Sequence, residues 1–235
     1  MEICSALRRA VILPALSSVL RLLPWIIAMT GPALAQPAHL APDPRQPEQA
    51  QLARTLQQGG LVLMLRHAET SPGVGDPPGF RADDCPTQRN LSDAGRAQAR
   101  RLGQWFRQHD IAPTRVLSSP WCRTRETASL AFGGSEDWIA LSNLIADRSR
   151  QAEHAREVLA AIARIGPRDL VVLVSHGVTI DAFIGEYLRQ GEMVILRPAA
   201  GAADAGRRPA GAARDDGAEP QASRALEVVG RLMVP

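Results

Sequence analysis

Two short, uninterrupted apolar runs, each leading to a histidine, constrain the fold of this chain more than any other feature. Residues 61–65 read LVLML and are followed by Arg66 and His67, and residues 170–174 read LVVLV, with His176 two positions further on. Five apolar residues without polar alternation are typical of a strand buried on both faces of a sheet. Because ligands bind beyond the carboxyl ends of strands in open α/β sheets, we expect both histidines at one edge of the sheet.

Helical patterns separate these runs, together with a third short apolar run at residues 116–117. Four helices are predicted: from an N-cap at Ser92 to about His109, from Ser119 and Pro120 to Gly133, through residues 155–162 up to Gly166, and through residues 180–188 up to Gly191. Strands that alternate with helices predict a three-layer α/β/α sandwich with one mostly parallel sheet.

The last part of the chain has a different composition. Residues 193–196 and 226–232 are predicted to be two strands of a hairpin. Between them, residues 199–223 consist almost entirely of Ala, Gly, Arg, Asp and Pro, which cannot bury enough apolar surface to order a segment. We therefore predict a disordered insertion over residues 199–223.

The first 35 residues have the pattern of an export signal. Arginines precede the apolar stretch 22–29, and residues 33–35 read Ala-Leu-Ala, the small-x-small form of a cleavage site. Pro24 and the shortness of the apolar run argue against a spanning helix, which needs about 20 apolar residues. The expectation is a periplasmic or secreted protein that is cleaved near Ala35 and has no stable membrane span. Residues 36–50 are predicted to be a flexible linker before a domain covering 51–235.

Charge and cysteine content narrow the choice of partners. The formal net charge is +3, and basic residues are interspersed with acidic ones, so nucleic acid is not expected as a partner. Cys4 lies in the predicted signal, which leaves Cys85 and Cys122. An even number of cysteines in an exported protein predicts a disulfide between them.

Four residues at strand ends or just after them suggest phosphate chemistry. Arg66, His67 and His176 follow the buried strands, and Arg123 lies in the first turn of the helix that follows the third run. A guanidinium group binds two phosphate oxygens at once, and a neutral imidazole can attack phosphorus. A zinc site is the alternative, but zinc needs three or four protein ligands and the arginines would repel it. The prediction is a site with neither metal nor cofactor.

Four segments resemble, in order, the landmarks of the histidine phosphatase superfamily, which includes the phosphoglycerate mutases. They read LMLRHAET, LSDAGRAQARRLGQWF, SSPWCRTRETA and VLVSHGVTI, and the resemblance spans about residues 58–198. It implies a phosphoglycerate mutase-like fold with His67 as the phosphorylated nucleophile. It also implies that Arg66 and Arg123 bind the phosphate and that His176 contacts it and stabilises the transition state. Thr70 and Ser119 lie within the motifs and are expected near the pocket.

The sequence departs from the family pattern at three points. Ala68 replaces the glycine of the usual RHG motif, and Gly177 stands where some members have an aspartate. The third point is the general acid, for which no position is decisive. The candidates are Glu69, Asp83, Asp84 and Asp147.

These observations predict an enzyme that hydrolyses a phosphomonoester through a phosphohistidine intermediate. The expected substrate is a small-molecule phosphomonoester, either a small phosphate or an envelope sugar phosphate. Two alternatives stay open: a catalytically weak protein that binds a phosphorylated ligand, and a protein phosphohistidine phosphatase. The sequence does not predict the oligomeric state.

Overall fold

The central strand of the sheet is the first apolar run, and its two faces build the two halves of the core. The computed structural model describes residues 46–73, 75–199 and 226–234. The predicted signal, residues 36–45 of the predicted linker and residues 200–223 of the predicted insertion lie outside these described residues.

Six strands form one sheet within the described ranges. They are β1 (Leu61–Arg66), β2 (Arg115–Ser118), β3 (Glu136–Asp137), β4 (Leu170–Ser175), β5 (Met193–Pro198) and β6 (Leu226–Leu232). Their order across the sheet is β3-β2-β4-β1-β5-β6. Strands β1 to β4 run parallel, whereas β5 is antiparallel to both of its neighbours, β1 and β6. The predicted mostly parallel sheet and its terminal hairpin are thus confirmed.

Helices cover both faces of the sheet. They are α1 (Gln46–Gln58), α2 (Asp93–Gln108), α3 (Cys122–Phe132), α4 (Gln151–Ile162) and α5 (Gly177–Ile184), with single 3₁₀ turns at Cys85–Thr87, Ile139–Leu141 and Arg148–Arg150. Alternate residues of β1 point to opposite faces, as in any strand. Leu63 packs in the core under α1, α2 and α3, and Met64 packs in the core under α4 and α5. This arrangement is the predicted three-layer sandwich.

Two helix boundaries differ from the prediction. Helix α3 begins at Cys122, not at Ser119, because the Ser119 amide still bonds Val174 of β4 and its hydroxyl contacts His176. Helix α5 ends at Ile184, well before Gly191, because Gly185 adopts a left-handed conformation with φ of 73°.

Helix α1 corrects the predicted linker. It begins at Gln46, so the last five residues of the segment predicted as flexible are helical. The helix is stabilised by tertiary packing, since Ala53 and Leu56 are buried in the core beneath the sheet. Within the described part of the chain, every helix is too short or too polar to cross a membrane.

Candidate active site

The carboxyl ends of β1 and β4 bring the two motif histidines together. Arg66 is in register with Ser175, and the His67 amide donates to the Ser175 carbonyl over 3.0 Å. The rings of His67 and His176 are consequently 5.5 Å apart between centroids, and both residues are buried. Arg66, His67, Arg123 and His176 all line one pocket of about 440 Å³, so the structure places the four predicted site residues at one location.

His67 is held in the tautomer that a nucleophile needs. Its Nδ1 lies 2.8 Å from the carbonyl oxygen of Ala68. A carbonyl only accepts hydrogen bonds, so Nδ1 carries the proton and the lone pair is on Nε2. Burial, reinforced by the charges of Arg123 and Arg66, lowers the pKa of His67 to about 3. The ring is therefore neutral at physiological pH, with Nε2 available for attack.

His176 is the second buried imidazole of the site. Its Nε2 lies 2.8 Å from the Ser119 hydroxyl, and its Nδ1 has no hydrogen-bond partner. Burial is the largest cause that lowers the pKa of His176, followed by the charge of Arg123. The neutral ring is thus fixed at one nitrogen and unpartnered at the other.

Three guanidinium groups of the pocket share one pattern. Nη1 of Arg66 donates to the Leu188 carbonyl over 2.7 Å, Nη1 of Arg89 donates to the Gly73 carbonyl, and Nη1 of Arg123 donates to Asp76. In all three residues the buried Nε has no partner. A buried N–H without an acceptor costs about 1–3 kcal/mol, so a cluster of them marks a place where a ligand supplies the acceptors. A tetrahedral oxyanion has that chemistry.

Asp76 and Arg89 are site residues that the sequence reasoning did not identify. The Asp76 carboxylate accepts hydrogen bonds from the Arg123 guanidinium, the Trp121 indole and the Arg89 amide. Burial alone raises the pKa of Asp76, but the hydrogen bonds and charge of Arg123 outweigh it and the net shift is downward. Both residues come from the connection between β1 and α2. No periodicity in that connection points to the pocket, although the length of the stretch 71–73 and 75–86 and its Gly and Pro content are typical of an active-site flap. We call this stretch the flap.

The disulfide predicted between Cys85 and Cys122 is present, with the two Cα atoms 5.6 Å apart. It joins the flap to the first residue of α3, next to Arg123. A second link runs in parallel, because the Cys122 amide donates to the Gln88 side chain. The flap is therefore fastened to the turn that carries one of the phosphate-binding candidates.

The two residue replacements within the family motifs, Ala68 and Gly177, do not strain the site. Ala68 has no positive φ, since Asp110 is the sole non-glycine residue with one in the described ranges. At Gly177, an added Cβ would lie only 3.0 Å from the Arg66 guanidinium and the Tyr187 ring. The missing side chain leaves room for Arg66 to stack on Tyr187, with 4.8 Å between Cζ and the ring centre.

None of the four general-acid candidates lines the pocket. Glu69 bonds the Ser92 hydroxyl, Asp83 pairs with Arg81 on the surface, Asp84 precedes the 3₁₀ turn at Cys85–Thr87, and Asp147 caps the turn at Arg148–Arg150. No carboxylic acid lies among the described residues that line the pocket. Of the two other motif residues, Ser119 contacts His176, and Thr70 accepts a hydrogen bond from Gln190 at the pocket wall.

Within residues 46–73, 75–199 and 226–234, no group of three or more His, Cys, Asp or Glu side chains is arranged to hold a metal ion. Metal independence stays a prediction that rests on the arginines.

Comparison with known proteins supports the resemblance found in the motifs. Residues 62–147 match the family model of the histidine phosphatase superfamily (branch 1). A search of curated protein sequences returns no match to the chain.

Several solved structures are similar to part of the chain. An open-reading-frame product of Mycobacterium tuberculosis has 21% identity and a TM-score of 0.45, over 58% of this chain and 90% of its own. The protein histidine phosphatase SixA complexed with tungstate has 16% identity and a TM-score of 0.41, over 59% and 88%. A phosphoserine phosphatase mutant of Entamoeba histolytica in complex with phosphoserine has 14% identity and a TM-score of 0.43, over 58% and 89%.

The buried neutral histidines predict a fold that loses stability in acid. Their pKa values are lower in the folded chain than the ordinary 6.5, so the unfolded chain takes up protons first as the pH falls. The stabilisation is complete above pH 6.5 and is lost as the pH falls towards the folded pKa of His67, about 3. Between its unfolded and folded pKa values, each histidine lowers the free energy of unfolding by about 1.4 kcal/mol per pH unit of acidification.

Urea unfolding of the wild type and His67→Ala, measured across this pH range, provides the test. The free energy of unfolding of the variant should fall less steeply with decreasing pH than that of the wild type, and the difference in slope should be the contribution of one histidine. Identical slopes in the two proteins would show that His67 is not a buried neutral group.

Proposed function

We propose that this protein is a phosphatase that transfers a phosphoryl group to Nε2 of His67 and then to water. The observation that carries the proposal is a set of unpartnered buried groups on residues that line the same pocket as His67: Nε of Arg66, Arg89 and Arg123, and Nδ1 of His176. The guanidinium groups supply positive charge and N–H donors in this pocket, beside a neutral imidazole that can form a bond to phosphorus.

The reaction has two displacements. In the first, the Nε2 lone pair forms the N–P bond while the bond from phosphorus to the leaving-group oxygen or nitrogen breaks. In the second, a water oxygen attacks the phosphorus of the phosphohistidine and the N–P bond breaks, with its electron pair returning to Nε2. One water proton stays on the inorganic phosphate and the other passes to solvent. In both transition states, negative charge spreads over three equatorial oxygens, which the arginines stabilise. The Ala68 carbonyl stabilises the cationic phosphohistidine because it accepts a hydrogen bond from Nδ1–H.

The lack of a carboxylic acid in the described pocket wall favours leaving groups that depart without a proton donated by the enzyme. Asp76 does not supply the proton, since its carboxylate is ionised and occupied by Arg123. Aryl phosphates release a stabilised aryloxide, and phosphoramidates such as phosphohistidine take up the leaving-group proton from solvent before they bind, so both meet this condition better than alkyl esters do. An envelope sugar phosphate stays the expectation from the sequence, and direct comparison of the two substrate classes tests it.

Export is part of the proposal. It is supported by the Ala-Leu-Ala site at residues 33–35 and by the disulfide, since disulfides persist in oxidising compartments. Export of an enzyme with phosphatase activity would give it access to phosphorylated molecules of the cell envelope. Fractionation of cells that express the full chain tests the compartment.

The enzymatic test is steady turnover of p-nitrophenyl phosphate, a phosphoramidate and a sugar phosphate, each with and without EDTA. We expect turnover of all three, fastest for the first two and insensitive to EDTA, because guanidinium groups supply the charge that a metal would. Acid-labile, base-stable label on the protein during turnover would identify phosphohistidine. Binding of phosphate without any turnover would favour the non-catalytic alternative, and activity that is lost to EDTA and restored by a divalent ion would favour a metal mechanism.

A further inference from the structure

The Asp76 carboxylate binds only one edge of the Arg123 guanidinium group. We propose that Asp76 is a positioning residue, which holds the Nη1–Nη2 edge of Arg123 so that the Nε–Nη2 edge faces the transferred phosphoryl group. The inference rests on the proposed function and adds to it a residue from the flap that acts through Arg123 without touching the substrate.

The pair is among the most enclosed charged contacts of the site. Nη1 of Arg123 donates to Oδ1 of Asp76 over 2.6 Å, and Nη2 donates to Oδ2 over 3.2 Å. The side chains are 1% and 3% exposed, so water does not compete with the contact. A bidentate pair fixes the plane of the guanidinium as well as its position.

The free edge follows from counting the donors of Arg123. A guanidinium has five N–H groups. Asp76 takes one from each Nη, and the Arg89 carbonyl lies 3.4 Å from Nη1. The Nε–H and the second Nη2–H remain, and Nε has no partner in the buried site. These two donors form the adjacent fork of the same group, which is spaced to bind two oxygens of one phosphate.

Asp76 can fix Arg123 because it is itself fixed. The Trp121 indole donates to Oδ2 over 3.1 Å, and the Arg89 amide donates to Oδ1 over the same distance. The carboxylate therefore connects Arg123 with Trp121 and with Arg89, which lines the pocket. Because Asp76 comes from the flap, the orientation of Arg123 depends on the flap being in place.

Asp76→Asn separates orientation from charge. The amide has nearly the same shape, but it loses one acceptor and the negative charge, so the bidentate grip is lost. Misorientation of the fork should lower kcat by about 10- to 100-fold. Removing a negative charge beside the site should, by itself, favour the binding of an anion. The dissociation constant of inorganic phosphate is therefore expected not to rise, a split that general loosening of the site would not produce.

The experiment is a double-mutant cycle with p-nitrophenyl phosphate. It compares wild type, Asp76→Asn, Arg123→Lys and the double variant, with Asp83→Asn as the matched control, because Asp83 is in the same flap and pairs with Arg81 on the surface. Calorimetry gives the dissociation constant of inorganic phosphate, and thermal melting and intact mass report the fold and the disulfide. Lysine lacks a fork, so Asp76→Asn should lower kcat far less in the Arg123→Lys background than in the wild type.

Three results would overturn the positioning role: an equal loss of kcat in both backgrounds, no loss in the wild-type background, or an Asp76→Asn protein that does not fold. A wild-type protein without any turnover would instead overturn the proposed function and the inference with it. An active wild type that tolerates Asp76→Asn removes the inference alone.

Discussion

His67→Ala is expected to lower the kcat for p-nitrophenyl phosphate by about 10⁴-fold or more while the protein stays folded. The reason is that Nε2 of His67 is the proposed point of bond formation. Among the described residues, the other histidine that lines the pocket is His176, whose Nε2 is hydrogen-bonded to Ser119. The arginines should still bind phosphate, so affinity for inorganic phosphate should be largely retained.

Rapid acid-free quenching with labelled substrate measures the covalent step directly. Label that is stable in base and lost in acid should appear on the wild type and be absent from His67→Ala. His109→Ala is the matched control, since His109 ends α2 outside the pocket, and it should keep both turnover and label. Substantial activity in His67→Ala, or label on that variant, would assign the nucleophile elsewhere.

Loss of the disulfide is expected to have the largest effect on stability. The bridge closes a span of 37 residues, and in the chain-entropy model its removal by Cys85→Ser costs about 4 kcal/mol of unfolding free energy. The same change frees the flap beside Arg123, so affinity for inorganic phosphate should fall together with stability. Denaturant unfolding and phosphate calorimetry measure the two effects.

Chemical reduction provides the internal control for this prediction. A reductant should destabilise the wild type by a similar amount and should not affect Cys85→Ser or the double variant Cys85→Ser/Cys122→Ser. Intact mass should show the oxidised wild type lighter by two hydrogens. Alkylation of both cysteines in the untreated protein would contradict the bridge.

The strand ends and the residues that follow them were predictable because buried parallel strands leave a plain signal. Runs of apolar residues identify β1 and β4, and the topology then requires Arg66, His67 and His176 to meet at one edge. The pairing of Cys85 with Cys122 was predictable for a different reason, since the two cysteines of the predicted domain leave one choice of pair.

The anchoring of the flap was not predictable because it depends on contacts between distant positions. Asp76 reaches Arg123 across 47 positions, from a segment whose Gly and Pro content predicts only a loop. The predicted start of α3 at Ser119 was wrong for a related reason. Ser119 has the local signal of an N-cap, but its hydroxyl is recruited by His176, 57 positions away. Local propensity yields to tertiary contacts at functional sites.

The direction of β5 has a practical consequence for handling the protein. Because β5 runs antiparallel to β1, the last residue of β5, Pro198, lies near the start of β1, at the opposite end of the strands from Arg66. Pro198 is paired there with Leu226 of β6. Six residues of strand separate the two ends by about 20 Å. A linker grafted between Pro198 and Leu226 would have both of its attachment points at the end of the sheet away from the pocket. The protein could then be tethered to a bead or a sensor surface with its pocket facing bulk solution.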